Sequence, residues 1–83
     1  MINAPTKISH PMANRISIQN GPHHYCTPGK SSEIAFFMGK QWVTEVIPEF
    51  AEYADTDAGD TRVYGWVPNE LIENFLQNFG ENT

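Results

Sequence analysis

A regular apolar pattern near the end of the chain constrains its fold more than any other feature. Five apolar residues recur there at the spacing of one helix face, namely Leu71, Ile72, Phe75, Leu76 and Phe79. Pro68 suits the first turn of a helix, and Gly80 directly follows the last apolar residue. We therefore expect an amphipathic helix over residues 68–79, which needs another element to cover its apolar face.

The other apolar segments have the composition of β-strands. They are short, rich in β-branched and aromatic side chains or alternating in polarity, and occupy residues 15–19, 33–38, 41–47 and 61–67. Gly39 and Lys40 separate two of them and fit the two-residue turn of a hairpin. The patterns predict an α+β fold, with a small antiparallel sheet of three to four strands packed against one C-terminal amphipathic helix.

A chain of 83 residues holds a single domain. Residues 1–14 have two prolines and no apolar periodicity, so we expect a flexible N-terminal arm, followed by the domain at 15–80 and a tail at 81–83. Pro48 suits a short helical turn in which Phe50 and Tyr53 share a face. Because a domain this small buries only about 60% of its unfolded surface, self-association is a reasonable expectation.

The cysteine count and the hydropathy pattern bear on the compartment. Cys26 is the only cysteine, so no intrachain disulfide can form, which fits a reducing cytoplasm. Residues 1–13 lack the apolar core of a signal peptide, and no stretch approaches the roughly 20 apolar residues of a membrane span. We expect a cytoplasmic protein with no membrane partner.

Negative charge dominates the sequence and is concentrated in its second half. Ten acidic and five basic residues give a net charge of −5, which disfavours direct binding to nucleic-acid phosphates. Six of the acids lie between residues 44 and 61 with no lysine or arginine among them: Glu45, Glu49, Glu52, Asp55, Asp57 and Asp60. We interpret them as a solvated acidic rim. The alternative is a surface for a basic protein, as a mimic of nucleic-acid charge in an accessory protein of a mobile element.

Strand alternation predicts which side chains face the helix. With Glu33 and Glu45 in solvent, the inward set is Ile34, Phe36, Met38, Trp42, Thr44 and Val46, joined by Val63, Gly65 and Val67. One helix covers one side of a sheet, so the outward side chains form a second, largely apolar face. That face comprises Phe37, Val43, Arg62, Tyr64 and Trp66, with Ala35 beside them. We expect it to be an interaction surface, unless the chain's own loop and arm cap it.

His23, His24 and Cys26 form the main cluster with residue types that bind metals, and His10 is a further candidate ligand. A structural zinc site usually takes four ligands from paired motifs, and a second Cys or His pair is missing here. The same cluster is compatible with a thiol activated by an imidazole. A polar turn that carries two histidines explains it equally well.

Two further segments partly match ligand-binding motifs. Lys30 and Ser31 end a stretch like a phosphate-binding loop, but His24 stands where the first glycine of that motif belongs. Asp55, Asp57 and Asp60 lie close together, but their spacing does not follow the calcium loop of EF-hands. We expect no cofactor.

Residues 64–71, with the sequence YGWVPNEL, resemble the last strand and following turn of Src-homology-type barrels. The resemblance covers about a tenth of the chain, and Leu71 stands where that family has a cleft tyrosine. It implies Trp42, Trp66 and Pro68 as contacts for a proline-rich peptide. In such a barrel Pro68 would open a short turn instead of a helix of three turns.

These observations favour a non-enzymatic protein-interaction module that binds itself, as a homodimer, or another protein through the second sheet face. Two alternatives remain. One is a small enzyme or ligand-binding protein that uses His23, His24 and Cys26, and the other is a peptide-binding small barrel.

Overall fold

A computed structural model describes residues 6–20, 29–55 and 61–80. Within these residues there are five strands, a 3₁₀ turn at Pro48–Tyr53 and a C-terminal helix, α1, at Asn69–Phe79. The strands are β1 Thr6–His10, β2 Ala13–Gln19, β3 Ser31–Met38, β4 Gln41–Trp42 and β5 Tyr64–Pro68. All pairings are antiparallel: β1, β2 and β3 are neighbours in that order, while β4 and β5 pair with opposite ends of β3. The predicted α+β fold is confirmed.

Helix α1 covers one side of the sheet with the apolar stripe identified in the sequence. Ile72 and Phe75 are buried, and the other three members of the stripe pack partly buried against the core. Burial of each large apolar side chain contributes about 1.5–3 kcal/mol. At the C-terminal end, the Gly80 N–H donates a 2.7 Å hydrogen bond to the Leu76 carbonyl oxygen. In the described chain no helix is long and apolar enough to span a membrane.

The core is centred on Phe36 of β3. Its ring contacts Tyr64 of β5 edge-on at a centroid distance of 5.4 Å, Phe50 at 5.7 Å and Phe75 of α1 at 5.8 Å. Phe50 is fully buried and Tyr53 is half-buried, as their spacing of three predicts for the 3₁₀ turn. The aromatic cluster therefore joins the sheet, the turn and the helix.

The prediction of a flexible N-terminal arm is wrong for residues 6–14. They form β1 and the start of β2, with Thr6 opposite Ile16 across the ladder. Ile8 and Ala13 are fully buried. The spacing of apolar residues could not reveal this strand because its side chains are mostly polar and its stability comes from pairing with β2.

The β3–β4 hairpin is confirmed, but β4 is shorter than predicted. Its two-residue turn contains Gly39 at φ 63°, and the ladder ends after Trp42. This register sets Phe37 opposite Trp42, so those two side chains share the outer face, whereas Val43 packs against the core. The predicted faces are therefore wrong at Trp42 and Val43. Ile34 and Phe36 face inward as expected, whereas Met38, Thr44 and Val46 are exposed.

A β-bulge in β5 overturns the alternation predicted for residues 61–67. Ser32 pairs with Val67 and Ile34 with Tyr64, so two residues of β5 lie opposite the single residue Glu33. As a result Tyr64 and Val67, three positions apart, are both fully buried. Tyr64 belongs to the core and not to the second face.

The segment after Pro68 also differs from that of a Src-homology-type barrel. An eleven-residue helix begins at Asn69, where the barrel alternative requires a short turn. The Asn69 N–H donates to the Lys30 carbonyl oxygen at 3.0 Å, and its side chain accepts a 2.6 Å bond from the Ser32 hydroxyl. These contacts anchor the start of α1 to the beginning of β3.

Candidate functional site

Trp66 is the most unusual side chain on the surface. It lies in the bulge of β5 with 56% of its accessible surface exposed, more than any other large apolar residue described. Its backbone has φ 53°, in the left-handed region, and it is the one residue other than glycine with positive φ among those described. A bulky residue rarely adopts this conformation, which costs of the order of 1–3 kcal/mol. The fold thus holds a tryptophan in solvent at a conformational cost.

A groove of about 460 Å³ lies beside this tryptophan. Residues 52–55 line it from one segment of the chain, and Val63, Gly65 and Trp66 line it from another. We call it the Trp66 groove. Its lining combines two aromatic side chains, Tyr53 and Trp66, with two exposed acidic residues, Glu52 and Asp55. None of the described lining residues is a lysine or an arginine.

Main-chain contacts hold the two lining segments together. The Asp55 N–H donates a 2.8 Å hydrogen bond to the Val63 carbonyl oxygen, and Ala54 forms a β-bridge with Tyr64. The Arg62 guanidinium adds two bonds, from Nε to the Thr44 carbonyl oxygen at 2.9 Å and from Nη1 to the Asp55 carbonyl oxygen. Arg62 was predicted to lie on the interaction surface. Its side chain instead links the main chain at Thr44 to the main chain at Asp55, beside the groove.

Tyr64 is a buried residue next to the groove, where it forms the bridge with Ala54. Its phenol oxygen accepts a 2.9 Å hydrogen bond from the Ile47 N–H and lies 3.5 Å from the Glu45 carbonyl oxygen. Burial raises the pKa of the Tyr64 phenol, while the hydrogen bond from Ile47 and the charge of Arg62 act in the opposite direction. Because Tyr64 is fully buried, its predicted place on the interaction surface is wrong.

The outer face of the sheet carries a smaller aromatic pair. The rings of Phe37 and Trp42 lie 4.9 Å apart, and the Trp42 indole N–H donates a 2.9 Å bond to the Arg62 carbonyl oxygen. With Val63 they line a shallow groove of about 190 Å³. Val63 was predicted under the helix and Trp42 in the inward set, so this face has a different composition from the predicted one.

The structure describes four of the six residues of the predicted acidic rim. Glu45, Glu49, Glu52 and Asp55 are exposed, whereas Asp57 and Asp60 lie outside the described residues. Glu49 accepts bonds of 3.1 and 3.2 Å from His10 Nε2. Glu52 and Asp55 are the two members that line the Trp66 groove.

His10 is held in place by hydrogen bonds and by contacts with two aromatic rings. Its Nδ1 accepts a 3.0 Å hydrogen bond from the Met12 N–H, so Nε2 carries the proton directed at Glu49. The side chain is 4% exposed and packs on Phe75 and Phe79 of α1, at centroid distances of 5.7 and 4.8 Å. Both ring nitrogens are engaged, so His10 is not placed to serve as a further metal ligand.

His23, His24 and Cys26, the weak candidates for a metal or thiol site, lie outside the described residues. Within the ranges 6–20, 29–55 and 61–80, no three histidine, cysteine or acidic side chains converge in a way that would hold a metal ion. The geometry of the proposed His and Cys cluster therefore remains a prediction.

Comparison of the chain with protein-family models, characterised proteins and solved structures finds no match in any of the three. Sequence reasoning identified Trp66, Glu52 and Asp55 but did not bring them together, and it missed Tyr53 as a groove residue. The sequence did contain one signal for the bulge that forms this site. Gly65 is an isolated glycine within a strand pattern, and such a glycine often marks a bulge.

Proposed function

We propose that this protein is a small non-enzymatic protein-interaction module, which binds a partner through the Trp66 groove. The observation that carries the proposal is the exposed tryptophan held at positive φ beside the groove. Backbone strain of this kind concentrates at functional positions, and tryptophan is among the residues enriched in the energetic centres of interfaces.

The chemistry of the described lining supports binding more than catalysis. Its titratable side chains are Glu52, Tyr53 and Asp55, and both carboxylates are exposed. A catalytic pair of acids normally depends on burial that separates their pKa values. The groove instead combines aromatic surface with a polar rim, which is the usual composition of a binding site.

Panning of a random peptide library against the full chain tests this proposal. We expect wild-type protein to enrich a set of peptides, and Trp66→Ala protein to lose them. Leu71→Ala is a matched control, because it truncates a partly buried apolar residue on α1, outside the groove. Peptides retained equally by wild type and Trp66→Ala would contradict the proposal.

Self-association in the cytoplasm is a second candidate, supported by the outer face. Phe37 and Trp42 form an aromatic pair on that face, and a small domain gains stability from a partner subunit. Sedimentation over a range of concentrations should show a dimer that Phe37→Ser weakens and Trp66→Ala leaves intact. A monomer at all concentrations would exclude this candidate.

A further inference from the structure

We propose that Arg62 is a positioning residue for the Trp66 groove, and that it links this groove to Trp42 on the outer face of the sheet. The proposal rests on the proposed function and concerns how the groove is held ready for a partner. The hydrogen bonds of Arg62 and of its neighbour Val63 carry it.

The side chain of Arg62 joins two residues that lie between the regular elements. Its Nε donates a 2.9 Å hydrogen bond to the Thr44 carbonyl oxygen, and its Nη1 donates to the Asp55 carbonyl oxygen. Thr44 follows β4 and Asp55 follows the 3₁₀ turn, so both residues lie outside the strands. A guanidinium group makes two such bonds at once because its donors are held in one rigid plane. Arg62 thus fixes residue 55 relative to residue 44.

Asp55 ends the segment 52–55, which lines the groove. Its N–H donates a 2.8 Å hydrogen bond to the Val63 carbonyl oxygen, and the adjacent Ala54 forms a bridge with Tyr64. Arg62 extends this short pairing because it binds the carbonyl oxygen of the same Asp55. A segment held by few contacts opens easily, so loss of the Arg62 bond should let residues 52–55 move away from β5. A groove held in place by Arg62 binds its partner more tightly, since less ordering remains to occur on binding.

The main chain of Arg62 extends the link to the outer face of the sheet. Its carbonyl oxygen accepts a 2.9 Å hydrogen bond from the indole N–H of Trp42, whose ring lies 4.9 Å from that of Phe37. Val63 lines both the Trp66 groove and the shallow groove of the outer face. Because coupling between sites travels through such connected contacts, occupation of the Trp66 groove should alter the surroundings of Trp42.

Arg62→Lys tests the positioning role in the full chain without any peptide. Lysine keeps the positive charge but replaces the planar donor group with a single ammonium. Arg15→Lys is the matched control, because Arg15 is exposed on β2 and undergoes the same exchange. We expect hydrogen exchange of the Asp55 amide, measured by NMR, to be at least about tenfold faster in Arg62→Lys and to change less than about twofold in Arg15→Lys. An unchanged Asp55 amide in Arg62→Lys would overturn the proposal.

Peptide affinity separates positioning from stability. The probe is a Trp66-dependent peptide from the library, titrated under conditions in which urea denaturation shows that each variant is folded. We expect Arg62→Lys to bind it about fivefold more weakly than wild type, and Trp42→Phe, which lacks the indole N–H, about threefold more weakly. Arg15→Lys should match wild type. Equal affinity of Arg62→Lys and wild type would contradict the positioning role, whatever the loss of stability.

The two tryptophans of the chain allow the link to be observed directly. Protein labelled with fluorinated tryptophan gives one fluorine resonance for Trp42 and one for Trp66, which Trp42→Phe and Trp66→Phe assign. We expect the peptide to shift both resonances in wild type but only that of Trp66 in Arg62→Lys. A Trp42 resonance that stays fixed in wild type, or that still moves in Arg62→Lys, would exclude a link through Arg62.

The outcomes keep the positioning role apart from the proposed function. If Trp66-dependent peptides bind wild type and Arg62→Lys alike, the groove binds partners without help from Arg62, and the positioning role alone fails. If the library yields no peptide that depends on Trp66, the proposed function fails and the positioning role fails with it.

Discussion

The backbone N–H of Ile47 donates a 2.9 Å hydrogen bond to the phenol oxygen of Tyr64, and both residues are fully buried. The bond connects the segment after the β3–β4 hairpin to β5, across 17 positions of sequence. It satisfies a main-chain donor that would otherwise be buried without a partner. Tyr64 also contacts Phe36 and forms a bridge with Ala54, so the same residue belongs to the core and to the pairing of the two segments that line the groove.

Removal of the phenol oxygen should therefore destabilise the protein more than its size suggests. Tyr64→Phe keeps the ring and its contact with Phe36 but leaves the Ile47 N–H buried and unpaired. We expect a loss of about 1–3 kcal/mol in the free energy of unfolding, measured by urea denaturation. Tyr53→Phe is the control, because the Tyr53 ring is only half-buried, and its cost should be within about 0.5 kcal/mol. Equal losses in the two variants would contradict this account.

Tyr64 should also make stability fall at alkaline pH. Burial raises the pKa of its phenol in the folded state above the usual value of about 10, which the unfolded chain retains. The stabilisation is therefore complete below about pH 10 and is lost as pH rises toward the folded-state pKa, because the unfolded state releases the proton first. Denaturation of wild type and Tyr64→Phe across this range should show a stability difference that shrinks with rising pH. A constant difference would mean that the phenol titrates alike in both states.

The elements best predicted from the sequence were those with local, periodic signals. The apolar stripe of α1 and the Gly39 turn each depend on residues close together in sequence, and both are confirmed. Strand β1 was missed because its one fully buried side chain, Ile8, gives no periodic pattern. Pairing with β2 and the Ile8–Gly80 bridge define it, and these are contacts that residue spacing does not encode.

The groove was harder to predict because it depends on a single shift in register. Without a bulge, Tyr64 and Trp66 would lie on one face, as alternation predicts. Because Gly65 and Trp66 both lie opposite Glu33, the alternation breaks between Tyr64 and Trp66, and Tyr64 is buried while Trp66 is exposed. Strand propensity does not specify where a bulge falls, so the residues of the site could be proposed but not their arrangement.

His10 should stabilise the protein chiefly through packing. Its ring lies against Phe75 and Phe79, whereas its partner Glu49 is exposed over 37% of its side chain. We expect His10→Ala to cost about 2 kcal/mol and Glu49→Gln, which keeps a hydrogen-bond acceptor, to cost less than about 0.5 kcal/mol. Thermal or urea unfolding measures both. A Glu49→Gln cost as large as that of His10→Ala would show that the polar contact with Glu49 dominates.

Substitution of Trp66 should separate the conformational cost of the site from its binding role. Trp66→Ala and Trp66→Gly both remove the indole, but only glycine adopts positive φ without a steric penalty. We expect the glycine variant to be more stable than the alanine variant by about 1 kcal/mol in urea denaturation. Both should lose the library peptides that wild type retains.

Gln77→Gly and Gln77→Ala provide the matched pair for this comparison, because Gln77 is exposed within α1 and not at positive φ. There the order should be reversed, with alanine more stable by about 1 kcal/mol. Equal stability of the two Trp66 variants would show that the left-handed backbone carries no strain. Retention of the peptides by the glycine variant would show that the indole is not the binding group. A more stable glycine variant without peptide binding would mean that the fold accepts a less favourable backbone in order to present the indole.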